Sequence, residues 1–197
     1  MSGQGSDAFA AAMFLVLAMS AAGVAHVAWL RSAAARRFTQ PIDMGCTFRA
    51  RRVFGENKML RGFVVMPPAA AVTFALFGAA REHMPSWLAQ GVWDLQPAQF
   101  ALLGFACGLA FMLAELPNSF VKRQLDVVPG HAPSSPLLRV LFFVIDRCDS
   151  VLGVLIVASL LVPVQALTWV WVLVLGPLLH ALFSVLLHRL GVKARAL

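Results

Sequence analysis

Five apolar runs, residues 8–30, 62–80, 98–114, 137–162 and 166–187, decide what this chain can fold into. Each is close to the ~20 residues a helix needs to cross a hydrocarbon core, the third being the shortest. Lipid offers no partner to backbone amides and carbonyls, so runs of this length must close their own hydrogen bonds as helices. With 60% hydrophobic and only 13% charged residues among 197, the chain does not have the composition of an ordinary soluble domain. The expectation is an all-α integral membrane protein. It forms a single membrane domain over residues 1–197, with about five transmembrane helices and two motif-bearing cytoplasmic loops, about 31–61 and 115–136. The first run has no basic residue before it and Arg31, Arg36 and Arg37 after it, which argues for a retained helix and against a cleaved signal.

A net charge of +7 would suit nucleic acid, but the basic residues sit at the ends of the apolar runs, so no nucleic-acid partner is expected. Arg31, Arg36, Arg37, Arg49, Arg51, Arg52, Lys58 and Arg61 fall between the first two runs, and Lys122, Arg123 and Arg139 between the third and fourth. Arg189, Lys193 and Arg195 close the chain, whereas the opposite side carries Arg81. By the positive-inside rule this is a multi-pass protein of the cell (inner) membrane, amino terminus outside and carboxyl terminus cytoplasmic. Cys46, Cys107 and Cys148 are scattered and read as free thiols.

Asp146, Arg147 and Asp149 interrupt the fourth run. A charge at membrane depth costs at least ~2.5–3.5 kcal/mol on insertion scales, so such residues usually face a polar cavity. At about 100° per residue, Asp146 and Asp149 share a helical face with Ser150 and Gly153. Two carboxylates beside small residues make a seat for a divalent cation. An intramembrane ion pair between Asp146 and Arg147 is the competing reading, and it leaves Asp149 without a partner. Upstream, the basic, glycine-punctuated stretch from Pro41 to Gly62 would suit polyphosphate. Anchorage to anionic lipid is the alternative.

The order Ser119-x-x-Lys122-Arg123, Pro129-Gly130-His131, Asp146-Arg147-x-Asp149-Ser150 resembles the signature of the CDP-diacylglycerol synthases. The small size, the five runs and Phe54-Gly55-x-x-Lys58-x-x-Arg61-Gly62 are more similar to the compact archaeal branch, the CDP-archaeol synthases. Glu115 stands where that branch usually carries an aspartate, and residues 132–136 lengthen the spacing after His131.

The resemblance implies transfer of CMP from CTP to a membrane lipid phosphate, giving a CDP-lipid of archaeol or diacylglycerol type and pyrophosphate. It implies CTP, the lipid phosphate and the bilayer as partners, with a homodimer left open. Asp146 and Asp149, assisted by Glu115, would hold Mg²⁺. Lys122 and Arg123 would join the two aspartates as catalytic groups by binding phosphate. Lys58, Arg61, Arg52, Ser119, Arg147, Gly130 and His131 would line the substrates. A small transporter or channel with intramembrane carboxylates is the alternative, with Pro67-Pro68 and Gly176-Pro177 as candidate bends. The chain lacks the Asp-Gly-x-x-Ala-Arg motif of the CDP-alcohol phosphotransferases.

Overall fold

A computed structural model describes residues 7–131 and 133–189. The chain runs through α1 (Ala8–Leu30), α2 (Ala33–Arg37), β1 (Thr47–Phe48), β2 (Arg51–Arg52), α3 (Leu60–Ala79), α4 (Ser86–Gly91), α5 (Pro97–Gln124), α6 (Pro136–Leu161) and α7 (Ala166–Arg189). A single 3-10 turn, Arg81–His83, separates α3 from α4. Of the long helices, α1, α3 and α5 are apolar enough to cross a bilayer. α6 is as long but carries Asp146, Arg147 and Asp149 near its middle, and α7 contributes a shorter apolar stretch, Ala166–Leu179.

α1 begins where Asp7 Oδ1 accepts from the amides of Phe9 (3.0 Å) and Ala10 (2.9 Å), a side-chain cap for two of the unpaired first-turn donors. Its alanines, Ala10, Ala11, Ala12, Ala18 and Ala22, are fully buried and let α3 and α7 pack close. Phe14 fills the space that remains. Its ring centroid lies 5.1 Å from that of Phe100 and 5.5 Å from that of Phe74 in an edge-on contact. Trp93 closes this end, its ring 6.2 Å from Phe14 and its Nε1 donating to Pro163 O at 2.8 Å.

Between helices the close approaches occur at glycines, as expected where lipid gives helices no hydrophobic reason to associate and packing must supply it. A Cβ at Gly108 of α5 would lie 2.8 Å from Pro67 Cα and 3.0 Å from Met66 O of α3. On the other side of the same helix, a Cβ at Gly153 of α6 would lie 2.5 Å from Ala114 Cβ and 2.7 Å from Ala110 O. α5 is thus held between α3 and α6. The glycine read from the sequence as room for a cation instead sets how closely α6 meets α5.

The structure departs from the sequence reading in three places. α5 continues ten residues past the end of its apolar run, through Pro117, so residues 115–124 are helical and the connection to α6 begins after Gln124. The stretch read as a loop between the first two runs contains α2 and a hairpin, with Thr47 opposite Arg52 and Phe48 opposite Arg51. The hairpin turns through Arg49 (φ 51°) and Ala50 (φ 62°). Finally, α3 and α7 run unbroken through Pro67-Pro68 and Pro177, so these prolines do not divide them into half-helices. Cys46, Cys107 and Cys148 are free, and Lys193 and Arg195 lie outside the described residues.

Candidate active site

The last three turns of α5 carry Glu115, Asn118, Ser119 and Lys122 at spacings of three and four, which aligns them along one face. Because Gly153 brings α6 against Ala110 and Ala114, this face meets Asp146, Asp149 and Ser150 one to two turns earlier on α6. Asn118 Nδ2 donates to Asp146 Oδ1 at 2.5 Å and to Asp149 Oδ2 at 3.0 Å. Lys122 Nζ also binds Asp146 Oδ1 in an ion pair. Ser150 Oγ lies 3.0 Å from Glu115 Oε1 and 3.2 Å from Asp149 Oδ1, and Ser150 N donates to Asp149 Oδ1 at 2.7 Å. Glu115 in turn holds Lys58 Nζ, which arrives from the turn before α3. Three carboxylates and two ammonium groups are therefore joined in one network drawn from three stretches of chain. Its excess of one negative charge favours a further cation.

The other residues singled out in the sequence lie around this network. Ser119 is buried and donates to Glu115 O at 2.9 Å, a bond within its own helix. Arg123 packs against the first stretch, its Cδ 3.1 Å from where a Cβ at Gly55 would stand. Gly55 itself has a φ of +86°. The Nε and Nη1 of Arg123 are buried and have no hydrogen-bond partner among the described residues. Guanidinium N–H groups are donors of the kind that bind carboxylate and phosphate oxygens. Arg61 Nη1 donates to Ala35 O at 2.7 Å and ties α3 to α2. Gly130 takes a φ of +76° in the turn where His131 Nδ1 lies 3.1 Å from Pro129 O.

Arg147 settles one of the sequence alternatives. Its Nη1 donates to Phe143 O at 3.0 Å and its guanidinium stacks 3.4 Å from the Phe143 ring centroid. The partner of Asp146 is Lys122, so the Asp146–Arg147 ion pair is not formed.

Arg52 is part of a separate device. Asp43 is buried and accepts from Arg52 Nη2 at 2.5 Å and from the amides of Phe54 and Gly55, each at 3.0 Å. Burial works against its ionisation, but Arg52 and the amides of Phe54, Gly55 and Gly45 outweigh it and hold the carboxyl well below the usual carboxylate range. The same contact raises the Arg52 guanidinium above its ordinary value. Arg51 forms a two-pronged pair with Asp126, at 2.6 and 2.5 Å, and Phe48 packs on Phe120 with ring centroids 5.8 Å apart. The hairpin is thereby fastened to the end of α5, which brings the two basic stretches together at Gly55, Arg123 and Pro129.

Residues 14–196 match the CarS-like family described as CDP-archaeol synthase. The chain belongs to the CDP-archaeol synthase family. It is similar to the CDP-archaeol synthase of Methanoculleus marisnigri, with 29% identity over 78% of this chain and 87% of the relative. The enzyme of Methanococcoides burtonii is 30% identical over 78% of this chain and 88% of its own length. That of Thermofilum pendens is 28% identical over 93% and 79%. A solved structure described as an intramembrane enzyme for archaeal membrane lipids biosynthesis shares the fold, with a TM-score of 0.59, 23% identity, and coverage of 88% of this chain and 92% of that one. Family membership makes the chain a CTP-dependent lipid-phosphate cytidylyltransferase, a membrane enzyme, and not a transporter or channel.

The family resemblance implied Mg²⁺, and the donor set can be tested against it. Among the described residues no group of three or more His, Cys, Asp and Glu side chains is arranged to hold a metal. Glu115 is engaged by Lys58 and Ser150 and reaches the aspartates through Ser150. What remains is a pair, Asp146 and Asp149, both within hydrogen-bonding distance of one nitrogen. A pair fits Mg²⁺, which is commonly held by one or two carboxylates with substrate phosphates and waters completing its shell. Sequence reasoning passed over Asn118. The signal was its spacing from Glu115 and Lys122, which has meaning only once residues 115–124 are taken as helix.

Proposed function

We propose that the chain transfers CMP from CTP to the phosphate of an archaeol-type ether lipid. The convergence of Asp146 and Asp149 on a single nitrogen, beside Lys122, carries this reading. The relatives' description as CDP-archaeol synthases favours the archaeol acceptor and sets aside the diacylglycerol type.

An oxygen of the lipid phosphomonoester attacks the α-phosphorus of CTP, the new P–O bond forms in line, and the bond to the bridging β-phosphate oxygen breaks to release pyrophosphate. Such a displacement needs alignment and charge neutralisation more than a protein nucleophile. Asp146 and Asp149 would hold Mg²⁺, which would supply charge neutralisation for the phosphates of CTP. Lys122 exchanges Asp146 for a phosphate oxygen, and Arg123 uses its unpaired Nε and Nη1 on another. Lys58, placed by Glu115, meets the nucleotide from the side of the first stretch. Ser119 supports the helix and takes no part as a nucleophile, since its hydroxyl is committed to Glu115 O. Arg61, Arg52, Arg147, Gly130 and His131 shape the surroundings.

The reading extends to topology. Five spans, α1, α3, α5, α6 and α7, set the amino terminus outside and the charged end of α5 towards the cytoplasm, where CTP is available, while lipid enters from the bilayer. The decisive experiment measures pyrophosphate release by the purified protein in detergent with CTP and Mg²⁺, comparing archaeol-type ether lipid phosphates with phosphatidic acids. Release confined to the ether lipids is expected. Release with phosphatidic acid alone, or with neither acceptor, would overturn the proposal.

A further inference from the structure

We propose that Asn118 is a two-faced positioning residue for the divalent cation. Its amide nitrogen holds Asp146 and Asp149 together in the cation's absence, and its amide oxygen becomes a ligand when the cation binds. The inference rests on the reading that the aspartate pair holds Mg²⁺.

Ionised carboxylates only accept hydrogen bonds, so two of them converging on one point require either a donor or a cation there. Asn118 Nδ2 supplies the donor, at 2.5 Å from Asp146 and 3.0 Å from Asp149. A cation arriving at that point would be repelled by the NH₂ group. The other end of the same amide, Oδ1, is buried and accepts no hydrogen bond among the described residues. A half-turn about the Cβ–Cγ bond, a broad and roughly two-fold torsion, exchanges the two ends without moving the backbone. The amide oxygen would then face the cation, joining the oxygen ligands that hard divalent ions take. Asn118 is well placed for this because α5 is fixed against α6 at Gly153, so the position of the residue is set and only its side chain need turn.

Lys122 cannot substitute. It neutralises Asp146, but an ammonium group has no lone pair to offer a metal. Glu115 is engaged by Lys58 and Ser150. Asn118 is thus the group between the aspartates that can alternate between donor and ligand.

The test uses Mn²⁺ as the probe, bound to the full-length protein in detergent with CTP and without lipid, its affinity read from the loss of the free-ion electron paramagnetic resonance signal. Asn118→Ala and Asn118→Leu are expected to weaken Mn²⁺ binding about 10-fold or more, the range found when groups that tune a metal site are removed. Asn118→Asp, which keeps an oxygen, is expected to retain affinity while lowering the metal-free melting temperature through carboxylate repulsion.

A second measurement needs no variant at Asn118. The chain has two asparagines, Asn57 and Asn118. Labelling asparagine with ¹³C at Cγ in an Asn57→Ser background should give a ¹³C coupling to bound Mn²⁺. Equal Mn²⁺ affinity in wild type and Asn118→Ala, or no ¹³C coupling, would overturn this inference alone. Failure of the wild type to bind Mn²⁺ at all would overturn the metal reading and this inference with it.

Discussion

The two ends of α5 do opposite work. Towards its amino terminus Phe100, Leu103, Gly104, Cys107 and Gly108 are buried in close apolar contact, with Phe14 and Phe74 completing an aromatic knot. Towards its carboxyl terminus Glu115, Asn118 and Lys122 meet carboxylates, and Asp146 is 44% exposed at its side chain. The first end is filled by shape. The second is held by charge and leaves Arg123 Nε and Nη1 and Asn118 Oδ1 without partners among the described residues. A bundle can leave polar groups unmatched at one end because the other is packed tightly enough to keep the helices in place, in the way active sites generally draw on stability provided elsewhere.

The contrast can be broken from either side. At the charged end, Asp146→Asn and Asp149→Asn should each lower pyrophosphate release at least ~100-fold, the loss expected when a preorganised electrostatic group is removed. The melting temperature should change little, and a large fall would mean that the aspartates serve the fold. At the aromatic end the pattern should invert. Phe14→Ala should destabilise the protein by about 3 kcal/mol, read from thermal unfolding in detergent, while activity per folded molecule stays near wild type.

Gly153→Ala links the ends, because the new methyl would meet Ala114 Cβ and Ala110 O. A loss of about 1–3 kcal/mol is expected, together with loss of activity as Asp149 moves from Asn118. Smaller effects belong to the hairpin. The Asp43 carboxyl lies below its ordinary value of 3.8, so its contribution is complete above about pH 5 and is lost as pH falls through its lower folded value. Protease nicking between residues 43 and 55 should accordingly stay constant from pH 8 to 5 and rise only under stronger acid. Arg51→Ala should cost under about 1 kcal/mol, since its pair with Asp126 is exposed.

Much of the helical end was legible in the sequence, because apolar runs translate directly into helices when lipid is the solvent. The first run coincides with α1, and three others differ from α3, α6 and α7 by no more than two residues at either end. The misses were at the polar end. Residues 115–136 read as a cytoplasmic loop because the apolar run stops at Ala114, yet the helix continues through Pro117 to Gln124. With those ten residues taken as loop, the common face of Glu115, Asn118 and Lys122 was hidden. The hairpin was missed because its turn is made by Arg49 and Ala50, neither of which signals a left-handed pair as Asn-Gly would. The aspartates were visible at once, since charge inside an apolar run has few explanations.

The clasp between Arg51 and Asp126 joins residues 75 positions apart. A ribosome adding about 5–20 residues per second makes the arginine roughly 4–15 s before its partner. During that interval the hairpin is made but not yet fastened. Asp146 and Asp149 emerge later still, so the two basic stretches are synthesised before the carboxylates that complete the network. The chain that forms the charged network is therefore all made before α7, which packs on α1 and α6, has been synthesised.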